Sequence, residues 1–140
     1  MAEPFQTRIT VRGYELDSQG HLHNAVYHQY GDHARWECLR AAGVSVDDLL
    51  ASGIGPVTLE STIRFHRELR GSQEVTVSCA FVWGERKTFR VNQQFHSGDG
   101  TLVAEIASIG GLMNIAERRL VADPGGYWRA LASTPGLLDL

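Results

Sequence analysis

An acid held just ahead of a helix start can do acyl-transfer chemistry. Residues 14–39, YELDSQGHLHNAVYHQYGDHARWECL, supply one in Asp17, seven residues before Asn24. The first N–H groups of a helix have no intrahelical partner and sit at the positive end of its dipole. A thioester carbonyl set against them would have its developing oxyanion stabilised, while Asp17 activated a water or attacked the carbonyl directly. Spacing alone leaves a plainer reading open, because a loop acid before a helix is also a favourable surface charge.

Other chemistries have weaker claims. The chain has no G-x-S-x-G elbow, no G-x-x-x-x-G-K-[ST] and no G-x-G-x-x-G. His21 and His23 flank Leu22 and could share a metal. Zinc, however, needs three or four compatibly spaced ligands, and neither cysteine is near, so no metal is expected. His28 and His33 are five apart, about 140° around a helix, and do not share a face. Cys38 and Cys79 sit in apolar surroundings on different elements. They read as two free buried thiols in a reducing compartment, with a disulfide as the alternative.

The elements that must position these residues follow from periodicity. TRITVRGY (7–14) alternates as a half-buried strand does. ELDSQGHLH is a polar loop, Asn24 a suitable N-cap, and 25–42 a helix whose i+4 row is Val26, Tyr30, Ala34, Cys38 and Ala42; Gly43 stops it. Ser45 with Asp48 three residues on suggests a short second helix. VTLESTIRF (57–65), EVTVSCAFVW (74–83), TFRVNQQFH (88–96) and LVAEIASIGGLMNI (102–115) read as strands. The short linkers GERK and SGDG make antiparallel hairpins. Gly110-Gly111 marks a bulge or a close backbone approach. Pro124-Gly125-Gly126 ends the regular part, with a short helix or loose tail after it. A lone long helix and one large sheet bury each other only if the sheet curls around the helix, the α+β hot-dog arrangement. One such unit still exposes an edge strand and one end of the helix, so a homodimer or homotetramer is expected.

Bulk properties narrow the function classes. The chain has 140 residues, 43% hydrophobic and 21% charged, which suits a single globular domain with a core over about 7–122. A net charge of -3 argues against non-specific nucleic-acid binding. No apolar run approaches a membrane span, and MAEPFQTR has no signal-peptide pattern, so a cytoplasmic setting is expected. Between residues 64 and 90 the balance reverses. Arg64, Arg67, Arg70, Arg86, Lys87 and Arg90 face only Glu68, Glu74 and Glu85. That stretch could hold the phosphates of coenzyme A or an acidic acyl carrier protein, or it is simply solvated surface.

The loop-helix segment resembles the signature of the 4-hydroxybenzoyl-CoA thioesterase family of hot-dog proteins, D-x-D-x-x-G-H-V-N-N-x-x-Y followed by A-R-x-E-x-L. Asp17, Gly20, His21, Asn24 and Tyr27 match in register, as do Ala34, Arg35, Glu37 and Leu39. LESTIRFHRELRGSQEVTV and LVAEIASIGGLMN are similar to later family stretches. The V-R-x-Y-E-L-D opening of plant-type acyl-carrier-protein thioesterases matches Val11 to Asp17. The resemblance covers about residues 7–122. It implies hydrolysis of an acyl thioester on coenzyme A or an acyl carrier protein, with no cofactor beyond the coenzyme A or phosphopantetheine of the substrate itself. It puts Asp17 in the place of nucleophile or general base, Gly20 at the turn that admits the thioester, and the Asn24 backbone N–H at the oxyanion. It brings His21, Tyr27, Glu60 and Thr62 to the substrate, with Tyr27 more readily a core residue and Glu60 and Thr62 at least as readily ordinary strand residues, while Arg64 and Arg67 are candidates for the carrier phosphates from the basic stretch alone. Glu15, His23 and Arg67-Glu68 depart from the family pattern. A hydratase or dehydratase using an Asp–His pair, and a non-catalytic acyl-thioester-binding protein, remain as alternatives.

Overall fold

β3 (Glu74–Trp83), β4 (Thr88–Ser97) and β5 (Leu102–Asn114) form the two expected hairpins, each strand antiparallel to the next. Their alternation is regular: Val75, Val77, Cys79 and Phe81 on β3 and Phe89, Val91, Gln93 and Phe95 on β4 are all buried on one face. β1 (Phe5–Thr10) adds to the free side of β3, and β2 (Ile54–Phe65) to the free side of β5. The sheet order is therefore β1-β3-β4-β5-β2, with β6 (Arg119–Leu120) folded back beside β5. The computed structural model describes residues 4–140.

The long helix α1 (Asn24–Ala41) lies against the buried face of this sheet and packs mainly on β1 and β3. Tyr27, Tyr30, Gly31, Ala34, Cys38 and Leu39 form its buried stripe, the i, i+3, i+4, i+7 spacing of an amphipathic helix. Gly31 sets how closely it approaches. A Cβ there would stand 2.9 Å from Gln93 Oε1 and 3.2 Å from Ile106 Cδ1. Buried Gln93 closes that contact by donating from Nε2 to the Gly31 carbonyl at 2.8 Å. Two apolar clusters result. One surrounds Tyr27, Tyr30 and Phe95 near the helix start, and the other surrounds Leu39, Phe81, Phe89 and Trp128 near its end. Each fully buried large side chain contributes about 1.5–3 kcal/mol of transfer free energy. This is the hot-dog arrangement, a curled antiparallel sheet around one long helix.

Several boundaries differ from the sequence reading. β1 stops at Thr10 instead of continuing to residue 14, because its partner strand begins at Glu74, opposite Thr10. Beyond it Gly13–Glu15 form a 3₁₀ turn, with the Arg12 N–H on Glu15 Oε1 at 2.9 Å. The N-cap of α1 is His23, not Asn24: His23 has extended backbone, and its Nδ1 accepts the Ala25 N–H at 3.1 Å. β2 starts three residues early, at Ile54, and tolerates Pro56 because it is an edge strand. The bulge lies in β2 between Thr58 and Glu60, whereas Gly110 and Gly111 serve close approach: a Cβ on Gly110 would meet the Val57 carbonyl at 3.0 Å. The short C-terminal helix expected as one of two options is present as α3 (Pro124–Leu131), but Pro124-Gly125-Gly126 opens it, capped by Asp123, and does not precede it. The short helix α2 (Val46–Ala51) is capped by Ser45 as read. Cys38 and Cys79 are free and buried. Among the described residues, no helix is long and apolar enough to cross a membrane.

Candidate active site

The loop between the 3₁₀ turn and α1 is a narrow reversal built on backbone bonds. The Asp17 N–H donates to the His21 carbonyl at 2.7 Å, and the Gly20 N–H returns to the Asp17 carbonyl at 3.1 Å. Gly20 has φ +76°, a left-handed conformation that glycine adopts without a Cβ penalty. The loop is then pinned on both sides, the Leu22 N–H reaching the Leu69 carbonyl at 2.7 Å and the His23 N–H the Glu15 carbonyl at 2.9 Å. Glu15 helps to anchor it: the Tyr30 hydroxyl donates to Glu15 Oε1 at 2.5 Å, and Arg12 lies 3.7 Å from Oε2. Burial and the Glu15 carboxylate push the Tyr30 hydroxyl pKa up.

The Asp17 carboxylate is oriented by the same reversal. Its Oδ1 accepts the N–H groups of Gln19 at 2.9 Å and His21 at 3.1 Å. Hydrogen bonds to the charged form favour it, and those from His21 and then Gln19 hold the Asp17 pKa below the ordinary aspartate range. The group is therefore a fixed anion at neutral pH. It opens into a cleft of about 560 Å³ that it shares with Leu22, His23, Asn24 and Tyr27 of the helix start. The Asn24 N–H, first of the helix, precedes any intrahelical acceptor, whereas the next donor, Ala25, is taken by His23. An anion and an open helix N-terminus thus face one cleft.

Of the residues singled out from sequence, Asp17, His21, Asn24, Tyr27 and Arg67 all line this cleft. Gly20 lies in the loop behind Asp17 and shapes it without lining the cleft. Tyr27 is both lining and core. It is 3% exposed, with Phe65 edge-on at 5.1 Å and Phe95 tilted at 5.6 Å, and burial raises its hydroxyl pKa. Glu60, Thr62 and Arg64 are not brought to the cleft within one chain. They alternate along β2 with Ser61, Ile63 and Phe65, which turn toward the helix side, so they lie on the outer face of the sheet. The basic stretch is divided as well. Arg64, Arg67 and Arg70 sit at the cleft end of the sheet, and Arg70 pairs with Glu68 at 3.2 Å. Arg86, Lys87 and Arg90 sit at the opposite end, around the β3–β4 turn.

Five lining residues were not singled out as candidates: Leu22 and His23 on the helix-start side, and three on the wall opposite. Phe65 and His66, at the end of β2, and Glu68 complete the far wall. The Glu68 carboxylate meets His21 Nε2, tying that wall to the Asp17 loop. The only sequence signal of this far wall is the departure at Arg67-Glu68, whose meaning depends on a strand pairing that a single sequence does not display.

Comparison with known proteins identifies the family. Residues 11–131 match the profile of the Thioesterase-like superfamily. A chloroplastic acyl-acyl carrier protein thioesterase of Arabidopsis thaliana, ATL3, is 36% identical over 79 residues, 56% of this chain and 42% of that one. The long-chain acyl-CoA thioesterase FadM of Escherichia coli is 34% identical over 73 residues, 52% of this chain and 54% of that one. The match thus spans about half the length of these relatives. A solved structure of a hypothetical protein from Aquifex aeolicus superposes with a TM-score of 0.82 at 25% identity, covering 91% of this chain and 99% of that one. By profile and by fold, this chain belongs to the thioesterase-like superfamily.

Proposed function

We propose that the protein hydrolyses an acyl thioester carried on coenzyme A or an acyl carrier protein, the carriers named for FadM and ATL3. The observation that carries this reading is the Asp17 carboxylate, fixed by two backbone donors and opening into the same cleft as the Asn24 N–H. A thioester carbonyl oxygen at the Asn24 N–H leaves its carbon within the cleft that Asp17 lines. In one course Asp17 takes a proton from water as the water oxygen bonds to the carbonyl carbon. The C–S bond then breaks, and the thiolate leaves and is protonated. In the other, a carboxylate oxygen of Asp17 bonds to the carbonyl carbon, the C–S bond breaks and the thiolate leaves and is protonated, and water then cleaves the mixed anhydride to the free acid and the Asp17 carboxylate. Both develop negative charge on the carbonyl oxygen, which the helix N-terminus stabilises.

Arg67, at the rim, is the cation placed to meet a carrier phosphate. The working unit is a homodimer joined along β2. That strand is an unpaired edge twelve residues long, exposed on both faces from Thr58 to Thr62, and it carries the exposed side chains of Leu59 and Phe65. A partner strand there would roof the seam between β2 and α1 and bring its own outer-face residues close.

The test is Asp17→Asn, assayed against a panel of acyl-CoA and acyl-carrier-protein substrates together with an enoyl-CoA for hydration. Turnover should fall roughly 10²-fold or more, the scale for losing a positioned base, with analogue binding nearly unchanged. A folded variant within about threefold of the parent, less than about 1 kcal/mol, refutes the role of Asp17. Hydration of the enoyl-CoA without thioester hydrolysis would put the dehydratase reading in its place.

A further inference from the structure

The Asp17 carboxylate takes its aim from a residue four places on. One of its two donors is the His21 N–H, at 3.1 Å, and that donor does most to hold the Asp17 pKa low. His21 is in turn gripped from across the cleft. Its backbone bridges that of Arg70, and the adjoining Leu22 N–H reaches the Leu69 carbonyl at 2.7 Å. These are main-chain contacts, open to any side chains. The third contact is not: the His21 ring, through Nε2, meets the Glu68 carboxylate.

Glu68 stands on a turn that is itself fastened. The His66 and Arg67 N–H groups both donate to the Val103 carbonyl of β5, at 2.8 and 3.0 Å. The Arg70 N–H donates to Gln73 Oε1 at 2.6 Å, and Leu69, between Glu68 and Arg70, is fully buried in the core. The two oxygens of the Glu68 carboxylate are divided. Oε1 accepts from Arg70 Nη2 at 3.2 Å, and Oε2 faces the His21 ring. With both oxygens engaged, the carboxylate has little freedom to swing away. A relay of contacts therefore runs from β5 through the turn and Glu68 to His21, and from the His21 N–H to Asp17.

We propose that Glu68 is a positioning residue for the hydrolysis, holding His21 so that the His21 N–H aims the Asp17 carboxylate at the thioester carbon. This rests on the hydrolase reading and adds a residue that acts through His21 and not on the substrate. Small displacements at a reacting centre are costly, about 10²-fold in rate for about 1 Å. The relay also predicts a direction that charge alone does not. Asp17 shares its cleft with His21 and His23 of its own loop, Tyr27 of α1, and His66, Arg67 and Glu68 of the far wall. Glu68 is the one carboxylate among these neighbours. Deleting an anion near Asp17 favours the charged form of Asp17 and lowers its pKa. Loosening the His21 N–H removes the largest influence that lowers it, and so raises it. The signs are opposite, so the direction of change separates positioning from charge.

The experiment compares the full chain with Glu68→Ala and Glu68→Gln. It follows the Asp17 carboxyl carbon by NMR titration, and measures kcat and KM on the acyl-CoA that the parent hydrolyses fastest. In Glu68→Ala the Asp17 midpoint should rise toward the ordinary 3.8, and kcat should fall roughly tenfold with KM within about twofold of the parent. Glu68→Gln removes the charge but keeps an oxygen to accept from His21 Nε2. It should restore kcat to within about threefold of the parent, with an Asp17 midpoint no higher than the parent's. The Glu68 side chain is 46% exposed, so neither variant opens a hole in the core. An Asp17 midpoint that stays or falls in Glu68→Ala overturns the inference, as does a Glu68→Gln variant as slow as Glu68→Ala. So does a parental kcat in Glu68→Ala when Asp17→Asn is inactive. A midpoint that rises in Glu68→Ala while Asp17→Asn keeps parental turnover overturns the hydrolytic role of Asp17 instead, and leaves the relay standing.

Discussion

Two backbone N–H groups on one carboxylate oxygen determine how Asp17 responds to pH. Because they lower its pKa, the anion persists as pH falls below the ordinary aspartate value and is lost only on protonation at the lowered one. The acid limb of kcat/KM for the free enzyme should therefore lie below 3.8, the unperturbed value, with no Asp17-linked change between neutrality and that point. A limb centred above 5 for a folded enzyme would assign the rate to another group. Arg67 belongs to the same scale. Arg67→Ala should raise KM about two- to fivefold with kcat nearly constant, as for an exposed phosphate contact alike in ground and transition states. Removing Arg86, Lys87 or Arg90 should leave KM alone, because Arg90 and Phe95 are five residues apart on β4, roughly 17 Å. Steady-state kinetics on both carriers decide each. Asp17 and Asn24 were legible because acid, turn glycine and helix start are consecutive in sequence. The capping role of His23 was not, since it depends on the loop conformation that frees Nδ1 for the Ala25 N–H. Neither was the separation of Arg64 from Arg67, since Arg64 lies on the outer face of β2 whereas Arg67 falls past the end of that strand, in the turn that lines the cleft.

At the scale of elements, the seat of α1 on the sheet rests on Gly31. Alanine is the better helix former by about 1 kcal/mol, so propensity alone predicts that Gly31→Ala stabilises. The packing argues the reverse. The added Cβ would stand 2.9 Å from Gln93 Oε1 and 3.2 Å from Ile106 Cδ1. Gln93 is 2% exposed and held by its bond to the Gly31 carbonyl, so its tip has little room to withdraw. Overpacking of this kind costs about 1–3 kcal/mol, which outweighs the propensity gain. Gly31→Ala should therefore lower the urea midpoint at an unchanged slope, and a raised midpoint would show that the sheet yields. The elements themselves were largely legible, since the four long strands and the long helix are strongly periodic. The errors fell where pairing partners decide: at the end of β1, whose alternation outruns β3, and at β2, whose edge position admits Pro56 and extends it back to Ile54. The short C-terminal helix, offered from sequence beside a loose tail, is α3, but its start was misplaced because Pro124-Gly125-Gly126 reads as a breaker unless proline is set in the first helical turn.

At the scale of the whole molecule, the remaining question is what covers β2. An edge strand twelve residues long is a template for pairing, and isolated chains usually blunt such edges with charge, proline or brevity. β2 has Pro56 near one end and Glu60 and Arg64 on its outer face. Its centre, from Thr58 to Thr62, is open on both faces and includes Leu59 at 53% exposure. Two copies pairing antiparallel about that centre would join their sheets, bury Leu59 and close the open side of each seam. Sequence alone led to the expectation of an oligomer, from an exposed edge strand and helix end, but could not name the strand, because which strand ends at the edge is a property of the β1-β3-β4-β5-β2 order. Light scattering should accordingly give twice the chain mass at assay concentration. Leu59→Lys, which sets a charge at the proposed two-fold, should shift the protein toward monomer and lower activity in proportion to the dimer lost. Its circular dichroism should stay that of the parent, since the side chain is already half in solvent. A parent that is monomeric and fully active on dilution would show that one chain's cleft suffices. A Leu59→Lys variant that stays dimeric with parental activity would place the interface on another face, with the exposed Trp36 of α1 next to be examined.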